Sequence, residues 1–159
     1  MTVTIRQAQN SDHTKLLQWT LALQAYEAQH GHAMLSVVDN LPALLAGWLR
    51  DLQQNPQVLI LIAENNGEPI GYILGLLQQQ PNPFTVYQCH GVVQLLWVDD
   101  ALRQQGIAAQ LLDKMTSVFR ELGAGYIEIQ HIAAEVPAAA FWQKHGYDAC
   151  GVIRRKFMK

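Results

Sequence analysis

The chain has 159 residues, half of them hydrophobic and only 15% charged, with a formal net charge of −2. That size suits one compact domain, residues 1–159, with a core of its own. The near-neutral balance excludes a sequence-independent nucleic-acid binder, which needs clustered Lys and Arg, and no apolar run approaches the ~20 residues of a membrane span.

Residues 3–6 alternate and predict a first strand. Ser11 and Asp12 are N-cap types, and a helix carrying Leu16, Leu17, Leu21 and Leu23 follows until Gly31 breaks it. Asp39-Asn40-Leu41-Pro42 opens a second helix, with Pro42 in its first turn and Leu45, Trp48, Leu49 and Leu52 on one face. The apolar run 58–63, the turn at Asn66-Gly67 and the run 70–77 read as a hairpin. A proline-bearing loop at 78–83 precedes the next strand, 87–98. A long helix follows over 104–122, with Ile107, Leu111, Met115, Val118 and Leu122 at helical spacing. Gly123 and Gly125 end it, a strand covers 126–131, and a short helix, 135–144, stops at Gly146. Residues 152–158 are expected to close the chain as a final strand. This alternation argues for an α/β sheet covered by helices.

The opening residues lack the basic-then-apolar layout of a secretory signal. Cys89 and Cys150 sit in no CxxC spacing and make no disulfide framework. A reducing cytoplasm is the expected setting.

The most informative segment is 94–112. A strand ending Leu96-Trp97-Val98 turns through Asp99 and Asp100 into Arg103-Gln104-Gln105-Gly106-Ile107-Ala108, at the start of an amphipathic helix. The first N–H groups of a helix lack internal partners and the helix dipole favours negative charge there. Small residues at Gly106 and Ala108 let phosphate oxygens approach those amides. No Walker lysine follows the glycine, and no Gly-x-Gly-x-x-Gly fingerprint is present. The segment resembles the GCN5-related N-acetyltransferase (GNAT) superfamily, in which Leu-x-Val precedes Arg/Gln-x-x-Gly-x-Gly/Ala. The resemblance spans nearly the whole chain. It implies an α/β (α+β) fold with a mixed, mostly antiparallel central sheet of six to seven strands and about four flanking helices.

The same resemblance implies that acetyl-CoA is the co-substrate and that no metal is needed. Leu96, Trp97, Val98, Arg103, Gln104, Gln105, Gly106, Ile107 and Ala108 are then its expected contacts, with the Leu96 amide polarising the thioester carbonyl on a strand that the resemblance implies bulges and splays from its neighbour. A second family segment reads Glu135-Val136-Pro137-Ala138-Ala139-Ala140-Phe141-Trp142-Gln143-Lys144-His145-Gly146-Tyr147. Its Ala138, Phe141, Trp142 and Lys144 are expected along the pantetheine arm. Glu135 stands where the family usually has Asn, Trp142 where it has Tyr, and Tyr147 where it has Phe. Trp142 matters because an indole N–H cannot protonate a leaving thiolate. Tyr147 and Tyr126 are candidate acids in its place.

The proton acceptor is equally open. Where the family usually carries Glu, two residues before Leu96, this chain has Gln94, which takes no proton. His90, four residues upstream on the strand, has base chemistry, with a solvent-facing histidine as the plainer reading. Glu128 on the next strand is the other candidate. On the acceptor side the resemblance points to the first two helices and the loop before 87–98, with Tyr26, His30, Tyr87 and Gln94 as substrate contacts. Trp48, Pro83 and Phe84 lie in the same regions. Glu27 could attract a cationic amine, though a solvated helix face explains it as well. His30-Gly31-His32 reads as a loop pair rather than a metal site. Asp99 and Asp100 read as caps, and Arg154-Arg155-Lys156 as an exposed strand end.

The expected function is transfer of an acetyl group from acetyl-CoA to a primary amine of a small molecule or peptide, by direct attack in a ternary complex. No nucleophile beside a His–acid pair suggests a covalent intermediate. The expected partners exclude nucleic acid and membrane and allow a homodimer. The alternative is a weak or inactive acyl-CoA-binding module acting as a sensor. An unrelated α/β nucleotide-binding protein is a more distant reading.

Overall fold

In a computed structural model that describes residues 2–30 and 36–158, the alternating opening forms strand β1 (Val3–Gln7). A 3-10 turn, Asn10–Asp12, leads into helix α1 (His13–His30). Asp12 fixes that entry. Its nearly buried carboxylate accepts from two guanidinium nitrogens of Arg6, at 2.7 and 2.8 Å, and from the Gln9 N–H at 2.7 Å. The hydrogen bonds from Arg6 hold the Asp12 carboxyl below the ordinary carboxylate range.

Helix α2 (Leu41–Gln54) begins with proline in its first turn. Strands β2 (Val58–Asn65) and β3 (Glu68–Gln79) form the expected hairpin, with Asn66 and Gly67 both at positive φ. Strand β4 (Cys89–Val98) follows, then a 3-10 turn at Asp100–Leu102 and helix α3 (Ile107–Glu121). Strand β5 (Ile127–Ile129) and helix α4 (Val136–Lys144) complete the regular elements.

The sheet runs in the order β1-β2-β3-β4-β5; the first four strands are antiparallel and β5 joins β4 in parallel. Helices α1 and α2 cover one face, where Leu16, Trp19 and Leu49 pack on Ile62, Tyr72, Leu74 and Leu95. Helix α3 and Trp142 of α4 cover the other, over Leu61, Ile73, Val93 and Val98. Gly91 brings α3 close: a Cβ there would lie 2.4 Å from the Phe119 ring.

The expectation of six to seven strands is corrected to five among the described residues. Residues 152–158 form no strand, and Val152 and Met158 are 80% and 85% exposed. The reason lies in the pattern. Apolar residues come in adjacent pairs, Val152-Ile153 and Phe157-Met158, around three cations, so no alternate face is apolar. Helix α3 starts at Ile107 rather than Gln104, because Gln104 and Gly106 adopt positive φ of 62° and 79°. No described helix is long and apolar enough to cross a membrane. Gly31 and His32 lie outside the described residues.

Candidate active-site cleft

Strand β4 changes character halfway along. At its start Gly91 donates its N–H to Tyr126 O on the β5 side, at 2.9 Å. Beyond its end Asp99 donates to Ile70 O on the β3 side, at 3.0 Å. Strand residues alternate between edges, and the alternations counted from these two bonds differ by one residue. The register shows where: Gly75 faces Val93 and Leu74 faces Leu95, so Gln94 is an extra residue in a β-bulge.

Beyond the bulge the Leu96 and Val98 amides point away from β3. There β4 has no second neighbouring strand among the described residues, because its pairing with β5 ends at Val93–Ile129. The Val98 carbonyl on the same open edge accepts from Arg103 Nε at 3.1 Å. A bulge and a three-residue β5 therefore leave main-chain donors facing space rather than a strand.

That space is a cleft of about 700 Å³. Its floor is 93–98, one wall is the start of α3, the other is α4, and α1 contributes Leu23, Tyr26 and Glu27. Gly106 caps α3 in the left-handed region, which glycine adopts without strain. The first α3-type bond runs from Gln110 N to Gly106 O at 3.1 Å, so the amides before Gln110 have no acceptor within the helix. These amides and the helix dipole make that wall suited to an anion.

Of the expected contacts, Leu96, Trp97, Val98, Arg103, Gln104, Gly106, Ile107, Ala108, Ala138, Phe141, Trp142 and Lys144 line the cleft, as do Tyr26 and Gln94. Gln105 does not; its side chain turns back toward Ala101 O at 3.5 Å. Arg103 is committed within the protein. Its guanidinium lies 4.5 Å from the Trp97 ring and 5.5 Å from Tyr26, and pairs with Asp100 at 2.8 Å. Asp99 does not cap with its side chain; it accepts the Trp19 indole N–H at 2.6 Å.

The candidate proton-transfer side chains His90, Glu128, Tyr147 and Tyr126 all fall outside the cleft lining. His90 is 4% exposed, before the bulge, with its ring stacked on Tyr126 at 4.9 Å. Its Nε2 lies 3.5 Å from Glu128 and its Nδ1 has no partner. Four residues of ordinary strand would have kept His90 on the face of Gln94, but β5 still covers β4 at that level. Tyr147 packs edge-on against Trp142 at 5.2 Å and its hydroxyl bonds to Thr116. Burial pushes the Tyr147 hydroxyl above the ordinary phenol range, with the Thr116 bond opposing. Trp142 is 8% exposed and half core, half wall. Tyr126 takes a hydrogen bond from Gln80 behind His90.

Tyr87 lies at the far end of the sheet, edge-on to Tyr126 at 5.5 Å. His30 stands behind Tyr26, bonded to its carbonyl at 2.8 Å, and is not in the lining. Among the described residues no group of three or more His, Cys, Asp or Glu is placed to hold a metal.

Sequence reasoning missed the contact that crosses the cleft. Tyr26 Oη on α1 donates to Glu135 Oε1 at the start of α4, at 2.7 Å. Glu135 occupies the N-cap position but makes no side-chain cap bond. A carboxylate there reads from sequence as an ordinary cap, so nothing announced a partner 109 residues away. This bond raises the Tyr26 hydroxyl, because ionising it would set two negative charges together. Glu27 beside it lies above the ordinary carboxylate range, through burial first and the Glu135 charge second. It is half-buried rather than a solvated helix face.

A model of the acetyltransferase (GNAT) family matches residues 16–147. No curated protein sequence matches the chain. Among solved structures, a tetramutant of the BH1408 protein of Bacillus halodurans superposes with a TM-score of 0.83 at 20% identity, over 98% of this chain and 99% of that one. A predicted acetyltransferase with acetyl-CoA from Clostridium acetobutylicum gives 0.79 at 17%, over 98% and 96%. The aminoglycoside 6'-N-acetyltransferase AAC(6')-IG of Acinetobacter haemolyticus gives 0.77 at 14%, over 98% of each. At these identities the likeness is one of fold.

Proposed function

The chain belongs to the GNAT family of acetyltransferases, and from that premise we propose that it transfers an acetyl group from acetyl-CoA to a primary amine by direct attack in a ternary complex. The observation that carries the reading is the open half of β4 facing the unpaired start of α3 across one cleft. The two ends of that cleft offer what the donor needs: amides for its pyrophosphate and amides for its thioester oxygen.

In this reading the Ile107 and Ala108 amides hold the pyrophosphate, with Lys144 adding positive charge. The pantetheine arm lies along Ala138, Phe141 and Trp142. The Leu96 N–H polarises the thioester carbonyl and stabilises the tetrahedral oxyanion; one such donor contributes ~3 kcal/mol to the transition state. Arg103 serves the site by packing Trp97 and Tyr26 rather than by binding phosphate. The amine enters from the α1 side, past Tyr26 and Gln94. The thiolate leaves without help from Trp142, which is tolerable because a free thiol ionises near pH 8.5. The aminoglycoside-modifying neighbour supports a small cationic amine as acceptor. The proposed setting is a reducing cytoplasm, in keeping with the free thiols of Cys89 and Cys150.

Incubation with acetyl-CoA and a panel of primary amines, followed by free-thiol release, tests this directly. At 100 times its dissociation constant acetyl-CoA should also add ~2.7 kcal/mol of stability, a rise in Tm of roughly 8 °C. Stabilisation without turnover on any amine would favour the second reading, an acyl-CoA-binding module. Gln94 and Trp142, which supply neither base nor acid, are the observations behind it. Absence of stabilisation would contradict both.

A further inference from the structure

We propose that Glu27 of helix α1 is the proton acceptor for the incoming amine, replacing the carboxylate that Gln94 lacks. The assignment rests on the transferase reading above and deepens it. Its first ground is position. Past the β4 bulge Leu95 and Trp97 lie on the sheet face covered by α1 and α2. Gln94, the extra residue immediately before Leu95, lines the cleft. Glu27 reaches the same cleft from the helix above that face. Burial raises the hydroxyl of Tyr72, the cross-strand partner of Trp97, and Glu27 is close enough for its charge to add a smaller push in the same direction.

The second ground is availability. Of the carboxylates near the cleft, Glu135 accepts the Tyr26 hydroxyl, Asp100 pairs with Arg103, and Asp99 holds Trp19. Glu27 is the cleft-lining carboxylate that, among the described residues, has no hydrogen-bond or ion-pair partner. The groups facing it are Glu135 from α4 and Tyr72 from β3, the latter bound to Thr20 at 2.8 Å, with Tyr26 adjacent on its own helix. None is a cation. A half-buried carboxylate that an ammonium ion would neutralise is therefore left facing the path of the acceptor, and burial with the Glu135 charge makes it more basic than an ordinary glutamate.

The step balances as follows. The Glu27 carboxylate takes one proton from the bound ammonium, and the freed lone pair forms a C–N bond to the acetyl carbonyl carbon. The oxyanion collapses, the C–S bond breaks, and CoA leaves as thiolate. The nitrogen loses its second proton to water, and Glu27 returns its own to solvent.

The test compares wild type, Glu27→Gln and Glu135→Gln with acetyl-CoA and a primary alkylamine that the wild type accepts. Thiol release is followed from pH 5 to 9, and acetyl-CoA stabilisation is measured on each protein. Glu27→Gln should lose roughly 10²–10⁴ in kcat, lose the acid limb of the wild-type profile, and keep its stabilisation by acetyl-CoA. Glu135→Gln should move the acid limb to lower pH, since it removes a negative charge that favours the protonated Glu27. A Glu27→Gln protein with wild-type kcat and acid limb overturns the assignment while leaving the transferase reading intact. Loss of acetyl-CoA stabilisation in that variant would give Glu27 a structural role instead. A wild type stabilised by acetyl-CoA but inactive on every amine overturns the transferase reading, and the assignment with it.

Discussion

Strand β4 has two halves, 89–93 and 94–98, and they do opposite work. The first is paired along β3, is joined by β5 over Gly91–Val93, and is pressed by Phe119 at Gly91. There a histidine with suitable chemistry is stacked and covered. The second half is paired on one edge only, and there ordinary residues such as Leu96 and Val98 line the cleft. On this strand the cleft opens where a neighbour is missing, whatever the side chain: His90 could accept a proton but lies outside the cleft, whereas Gln94 lines it and cannot.

Substitutions in the two halves should therefore fail in different ways. The largest effect is expected at Gly91→Val in the closed half, where a side chain would meet the Phe119 ring. Overpacking there should cost ~3 kcal/mol, a fall in Tm of roughly 9 °C. A Tm within about 2 °C of wild type would mean that α3 is not held against β4 as described. Gly106→Val, on the open side, should act on the ligand more than on the fold. Space is available for its side chain, but the positive φ is not. Acetyl-CoA affinity, read by calorimetry, should drop about tenfold or more, ~1.4 kcal/mol; unchanged affinity would sink the pyrophosphate-loop assignment. The smallest effect is expected at His90→Phe. It keeps an aromatic ring on Tyr126 and removes an Nδ1 that has no partner, so stability should hold within ~1 kcal/mol. Thiol-release kinetics should stay within about threefold, since base catalysis by His90 would require a loss of at least ~100-fold.

The elements were legible because each has a local cause. Asn66-Gly67 dictates a hairpin, Pro42 starts a helix, and the 3.6 spacing of Ile107, Leu111 and Met115 commits them to α3. The α3 wall of the cleft was legible for the same reason, since Gly106 and Ala108 sit at the turn that starts the helix. A bulge in β4 was legible only through the family resemblance; nothing in the residues themselves marks Gln94 as the extra one. Equally hidden was the length of β5, three residues where 126–131 read as six. His90 precedes the bulge, where Tyr126 stacks on it and it stays outside the cleft. The Tyr26–Glu135 bond was hidden by its sequence separation, and residues 152–158 misled because β-branched and aromatic residues were counted without asking which face they share.

Residue-resolved amide exchange with and without acetyl-CoA tests the contrast within β4 most directly. Acetyl-CoA should slow exchange at Leu96 and Val98 and at Ile107 and Ala108, while Gly91 and Val93, already bonded or covered by β5, should change little. Protection confined to Gly91–Val93, or none at Leu96 and Ile107 under saturating acetyl-CoA, would contradict the assignment of the open half of β4 as the acetyl-transfer site.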